Sequence, residues 1–186
     1  MRRFLSLTIL LLLFATACQK GATSIADNPQ SATDYYNRGV ARQNKGDADG
    51  AIADYTKAIE LDPKNFSAYN NRGNLKQDKG KVKEAVLDYQ NAVVINPTHA
   101  TAHFNLGHIS QGKKDYQGAI YEYGKAIEAK PDYAMAYANR GLCHLYLNSD
   151  ADAQKDFDRS VEINAELKNS LEGYIAKVKH QRTVSR

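Results

Sequence analysis

The sequence predicts an all-α protein: a right-handed α-solenoid of four helix–turn–helix units, closed by a C-terminal capping helix. Two observations carry that reading. First, four residue series recur every 34 positions: Gly39, Gly73, Gly107 and Gly141; Ala51, Ala85, Ala119 and Ala153; Tyr55, Tyr89, Tyr123 and Phe157; and Pro63, Pro97 and Pro131. A fixed period of this length marks a stacked repeat. Second, each period holds two helical segments, such as 32–45 and 48–60, separated by a Gly46-Asp47 turn. One such hairpin cannot bury its own apolar face, so the units must stack.

The first residues stand outside this pattern. Arg2 and Arg3 precede an apolar run of 14 residues from Phe4 to Ala17. That is short of the roughly 20 a spanning helix needs and matches the apolar core of an export signal. The run ends in Ala15-Thr16-Ala17-Cys18. Ala-x-Ala suits ordinary signal cleavage, whereas small residues directly before a cysteine resemble the lipobox of bacterial lipoproteins. The lipoprotein reading is preferred because Cys18 sits where its thiol would take acyl chains such as palmitate on export. Ala15 departs from the leucine usual there. Residues 1–17 then form a signal peptide, and 18–31 a polar, lipid-anchored tether containing Gly21 and Pro29. The expected site is the periplasmic side of the outer membrane, with Gln19 in place of the inner-membrane Asp. A soluble periplasmic protein beginning at Cys18 and an uncleaved anchor are the alternatives.

The four units follow as 32–65, 66–99, 100–133 and 134–167. The recurring glycine lies inside the first helix of each pair, where it costs up to about 1 kcal/mol relative to alanine. Close packing of the second helix must compensate. The recurring alanines read as the small residues facing that glycine, with the aromatics filling space around the crossing. Gly80 and Gly112 are expected in the turns of repeats two and three. Each proline ends a second helix. Repeat four is degenerate, with Ser160 in the alanine series and Ala165 in the proline series. Residues 165–180 change pattern: Leu167, Leu171, Tyr174, Ile175 and Val178 make one apolar face of a capping helix. Residues 181–186 read as a flexible tail.

An aromatic, a glycine four residues on, then alanine, aromatic, alanine and proline at this period resemble the tetratricopeptide repeat. The resemblance covers about three-quarters of the chain and implies a non-catalytic protein-binding scaffold. It implies a ligand groove lined by first-helix positions, here Tyr36, Asn70, Phe104 and Ala138; Val40, Asn74, His108 and Leu142; and Gln43, Gln77, Gln111 and Leu145. The glutamines can donate and accept, as a ladder along an extended peptide or as helix-forming residues on a solvated face. Leu142, Leu145 and Tyr146 are expected beneath the capping helix instead. Some co-chaperone members clamp a C-terminal carboxylate with lysines and asparagines. The matching positions here include Tyr36, Val40 and Thr101, with Asn71 alone retained, so that clamp is not expected. Lipoproteins of this kind help assemble pili, secretion pores or cell-wall hydrolase complexes.

Other constellations read as structural. Arg38, Arg72 and Arg140 are in phase with Asp54, Asp88 and Asp156, as ion pairs would be; where Leu106 replaces arginine, Glu122 replaces aspartate. Asn37, Asn71, Asn105 and Asn139 recur without an assigned role. His99 and His103 have the spacing of a metal pair, but the first lies at a junction and the second holds the place of Tyr35, Tyr69 and Tyr137. No further ligand completes a set, so no metal or other cofactor is expected. Cys143 aligns with Ala41, Leu75 and Ile109 and reads as core. No nucleophile–base pair or phosphate loop stands out, which argues against an enzyme. Without Arg2 and Arg3 the net charge is +2 with signs interspersed, which points away from nucleic acid. The expected partner is an envelope protein, with a homodimer as the alternative.

Overall fold

The computed structural model describes residues 29–184; the signal segment, Cys18 and most of the tether lie outside them. Among the described residues there are nine helices and no strands. They are α1 Ala32–Asn44, α2 Ala48–Leu61, α3 Phe66–Asp78, α4 Val82–Ile95, α5 Ala100–Gly112, α6 Tyr116–Ala129, α7 Ala134–Tyr146, α8 Asp150–Ile163 and α9 Leu167–Val184. No helix among these residues is long and apolar enough to cross a membrane. The chain divides into two compact units, one ending at Pro63 and one beginning at Lys64.

The first unit is the α1–α2 hairpin. Ser31 starts α1 with a reciprocal capping box to Asp34, and Asp47 starts α2 by accepting from the Gly50 amide. Gly46 makes the turn at φ 81°, a conformation that costs a side-chain-free residue nothing. The second unit contains the hairpins α3–α4, α5–α6 and α7–α8, and helix α9. Here α4 packs on α5, α6 on α7, and α9 on both α7 and α8.

The crossing inside each hairpin differs from the expected glycine-on-alanine contact. The glycine lies under the aromatic ring itself. A Cβ built on Gly39, Gly73 or Gly107 would stand 2.8 Å from a ring carbon of Tyr55, Tyr89 or Tyr123, and one on Gly141 would stand 2.6 Å from Phe157. The alanines are fully buried alongside. A large ring needs a flat patch of backbone, which only glycine provides.

One turn also differs from expectation. Gly80 takes the left-handed conformation at φ 74°, but in repeat three it is Lys114, not Gly112, that does so, at φ 63°. In repeat four it is Asn148. Conformation follows position in the 34-residue frame, and the glycine had drifted two places from it.

The C-terminal helix buries Leu171 and Val178, with Leu167 and Ile175 half-covered, against Ala138, Leu142, Leu145, Phe157 and Val161. Tyr174 instead points outward, 58% exposed, and Tyr146 stacks on Tyr116 at 4.7 Å rather than beneath this helix. The helix runs past position 180 into the segment expected to be a tail. Arg182 there donates to Asp150 at 2.7 Å, which fastens the extra turn.

Gly107→Ala should lower stability by about 1–3 kcal/mol, because overpacking against Tyr123 outweighs the better helix propensity. Gly112→Ala, with nothing within 4 Å of the new Cβ, should raise it by up to about 1 kcal/mol. Urea unfolding of the two variants distinguishes them.

Candidate functional site: the first-helix face

Each repeat aromatic has two ends with different tasks. The ring covers the glycine, and the hydroxyl reaches the polar face of the first helix. Tyr55 donates to Gln43 Oε1 at 2.7 Å, Tyr89 to Gln77 Oε1 at 3.0 Å and Asn74 Oδ1 at 2.8 Å, and Tyr123 to Gln111 Oε1 at 2.7 Å. In repeat four Phe157 has no hydroxyl, and the glutamine position is Leu145, buried beneath α9. The glutamine series therefore follows the tyrosine series. Burial raises the Tyr89 and Tyr123 hydroxyls well above the usual phenol range, so both stay protonated donors.

Two of the recurring asparagines, unassigned in sequence, join neighbouring repeats of the second unit. Asn105 donates to Asn74 at 2.8 Å and to Asn70 at 3.4 Å, across the α3–α5 gap. Asn139 hydrogen-bonds the Tyr123 hydroxyl. The result is an uncharged row of amides along α3, α5 and α7, met by the Tyr89 and Tyr123 hydroxyls from the second helices.

The residues expected to line a groove fall in different surroundings. In the first unit Tyr36 is half-buried against the Tyr55 ring at 5.8 Å, Val40 is half-buried, and Gln43 is held by Tyr55. In the second unit Asn70 is only 5% exposed and bridges Asn71 and Asn105, so it is an internal strut. Asn74, Gln77 and Gln111 are half-exposed, and their carbonyl oxygens are already accepting. Phe104 is half-buried, stacked on Tyr133 at 4.9 Å and tilted against Tyr123 at 5.5 Å. His108 is exposed between these groups. What this face offers solvent is chiefly amide N–H, one imidazole and the edge of one aromatic cluster.

The cations of these helices turn the other way. Arg38 holds Asp54 with two bonds of 2.9 and 2.6 Å, Arg72 holds Asp88 at 3.0 and 2.6 Å, and Arg140 holds Asp156 at 2.8 and 2.7 Å. Arg42 adds a contact to Asp54 at 3.0 Å and Lys76 one to Asp88 at 2.9 Å. All three aspartates are buried. Tyr35, Tyr69 and Tyr137 stack over the three guanidinium groups. Arginine forks fit this task because they bond a carboxylate in two places at once. In repeat three His103 bonds Glu122 directly at 2.7 Å.

The histidines separate. His99 accepts from the Ala102 amide as the cap of α5, and His103 has a partner on each ring nitrogen. Among the described residues no three His, Cys, Asp or Glu side chains are placed to hold a metal ion. Cys143 is fully buried beside Ala119 and Tyr123, and burial pushes its thiol up to about 12.

On the second-helix side of the second unit a cavity of about 420 Å³ opens between α4 and α6, lined by Val93, Val94, Pro97, His103, Tyr121 and Lys125 among others. Val94 is 78% exposed there, where the other repeats carry Glu60, Glu128 and Glu162, each paired with a basic residue three positions before it.

Comparison with known proteins agrees with this geometry. Residues 44–80 and 73–114 match the TPR repeat and residues 100–133 the tetratricopeptide repeat. No curated protein matches the chain. Among solved structures, MamA is 23% identical, with a TM-score of 0.68 over 78% of this chain and 85% of that one. PilF of Pseudomonas aeruginosa is 22% identical, with a TM-score of 0.68 over 82% and 69%. The first TPR of Spaghetti (RPAP3), bound to the HSP90 peptide SRMEEVD, is 24% identical, with a TM-score of 0.60 over 65% and 96%. At such identities the likeness is one of fold.

Replacing Tyr123 by Phe should cost about 1 kcal/mol, the net worth of a buried hydrogen bond. In a double-mutant cycle with Gln111→Leu the coupling should be about 0.5–1.5 kcal/mol, since repeat four already combines Phe with Leu.

Proposed function

We propose that this chain, whose residues 44–133 match tetratricopeptide-repeat models, is an adaptor that holds an extended peptide segment of a protein partner on its first-helix face. The observation that carries this is the neutral amide row. Gln77 and Gln111 accept from Tyr89 and Tyr123 through their oxygens, which leaves their N–H groups for backbone carbonyls. Phe104 adds an apolar edge and His108 an exposed ring at the centre. Positions already fixed by internal hydrogen bonds lose little entropy on binding.

The peptide in this reading is not the acidic kind seen on Spaghetti. Arg72 and Lys76 are committed to Asp88 and Arg140 to Asp156, so the cations of α3 and α7 are spent on internal carboxylates. A segment recognised mainly through its backbone fits this face better than one recognised through a terminal carboxylate.

We further propose that the partner is an envelope protein and that Cys18 carries the lipid that brings the repeats to it. The export-type leader before Cys18 supports this. Fatty-acid labelling should appear in the wild type and vanish in Cys18→Ser; labelling of neither rejects the anchor.

Binding is tested with peptides selected on the purified protein. His108→Glu places a charge in the row without removing any internal hydrogen bond, and should weaken such peptides about tenfold, or about 1.4 kcal/mol. Unchanged affinity, with the circular dichroism of the fold retained, rejects this face.

A further inference from the structure

Repeat three departs from the other three at one connected set of positions. Tyr, Arg and Asp, which stack and pair in repeats one, two and four, are replaced by His103, Leu106 and Glu122. The replacement changes the chemistry of the joint between the second and third repeats, all of it within the second unit.

His103 is buried on α5. Its Nδ1 lies 2.7 Å from Glu122 Oε2 on α6, and its Nε2 lies 3.0 Å from the Pro97 carbonyl in the link from α4. A carboxylate and a carbonyl only accept. Both bonds therefore exist only when both ring nitrogens carry protons. Four residues earlier, His99 has the opposite requirement. Its Nδ1 accepts from the Ala102 amide at 3.2 Å and caps α5, which needs a bare nitrogen. Its ring also meets Phe66 of α3 edge-on at 5.1 Å. In repeat two the same cap is made by Asn65, which does not titrate in this way.

We propose that this joint is a pH-gated latch, fully bonded only while His103 is an imidazolium and His99 is neutral. The charged and titratable groups facing His103 are Glu122 and Lys125 on α6 and His99 at the start of its own helix, with Tyr121 and Glu128 of α6 lining the same cavity; α4 contributes Val93 and Val94 to it. Glu122 raises the His103 ring above its ordinary 6.5, against desolvation and Lys125. Burial lowers His99 below the same value, helped by His103. A raised histidine contributes fully below about pH 6.5 and is lost as pH climbs through its folded value. A lowered one contributes fully above about pH 6.5 and is lost as pH falls through its folded value. The two limbs meet near neutrality, where the joint is tightest. Each limb changes the folding equilibrium by up to about tenfold per pH unit.

The repeats themselves supply the test variants. Urea unfolding of the full chain between pH 5.5 and 9 should show maximal stability near pH 6.5. His99→Asn, copying repeat two, should flatten the acid limb. The triple change His103→Tyr, Leu106→Arg and Glu122→Asp, copying repeats one, two and four, should flatten the alkaline limb. Ring-nitrogen NMR of the wild type at pH 6.5 should show two protons on His103 and one on His99. A single proton on His103, or a triple variant with the wild-type pH profile, overturns the proposal. Should the triple variant fail to fold, the NMR measurement decides alone.

Discussion

The structure depends on an aromatic ring lying flat on a glycine. Without a Cβ at Gly73 or Gly107 the second helix of the hairpin comes close enough for Tyr89 or Tyr123 to press on bare backbone. That approach buries the ring completely and with it Ala85 or Ala119. It also determines where the hydroxyl emerges, and so which first-helix residues it meets. The polar face is a product of the packing rather than a surface laid over it.

The same close approach accounts for the acids. Once the two helices are fixed by the ring, Asp54, Asp88 and Asp156 face the first helix from inside the hairpin with almost no exposure. A buried carboxylate is tolerable only when charge and hydrogen bonds are both satisfied. Two donors from one guanidinium, with a second cation one turn along in repeats one and two, meet that requirement. Ser160 is less fortunate. It occupies the alanine place of repeat four, is fully buried, and its hydroxyl finds no partner among the described residues. The degenerate terminal repeat tolerates a cost that the regular ones avoid.

Most of the fold was legible because periodicity is a property of the sequence itself. Hairpin limits and the Arg–Asp pairs could be placed from the 34-residue frame, and a C-terminal helix on the last repeat from the helical spacing of its apolar residues. What escaped were pairings between two series with no period of their own to reveal them. Gln43, Gln77 and Gln111 read either as a ladder for a peptide or as helix formers on a solvated face, although the change to Leu145 alongside the change from Tyr to Phe157 was the visible clue to their tyrosine partners. Asn70 looked like a groove residue because position says nothing about depth; it is buried, and Asn105 reaches back to it from the next repeat. Lys114 escaped because residue type suggested Gly112, while the backbone obeyed position. Tyr174 matched an apolar stripe that α9 turns partly away from the repeats.

The recurring glycine and its ring are separated by sixteen positions, and so are each arginine and the acid it holds. One shared interval therefore governs both interlocks. Gaining or losing one residue within the helical part of that interval would turn the face beyond it by about 100° and break the two together. Length can change safely only outside that interval or by a whole block. A chain built this way lengthens in quanta, and its evolutionary history should be written in duplicated units rather than in small insertions.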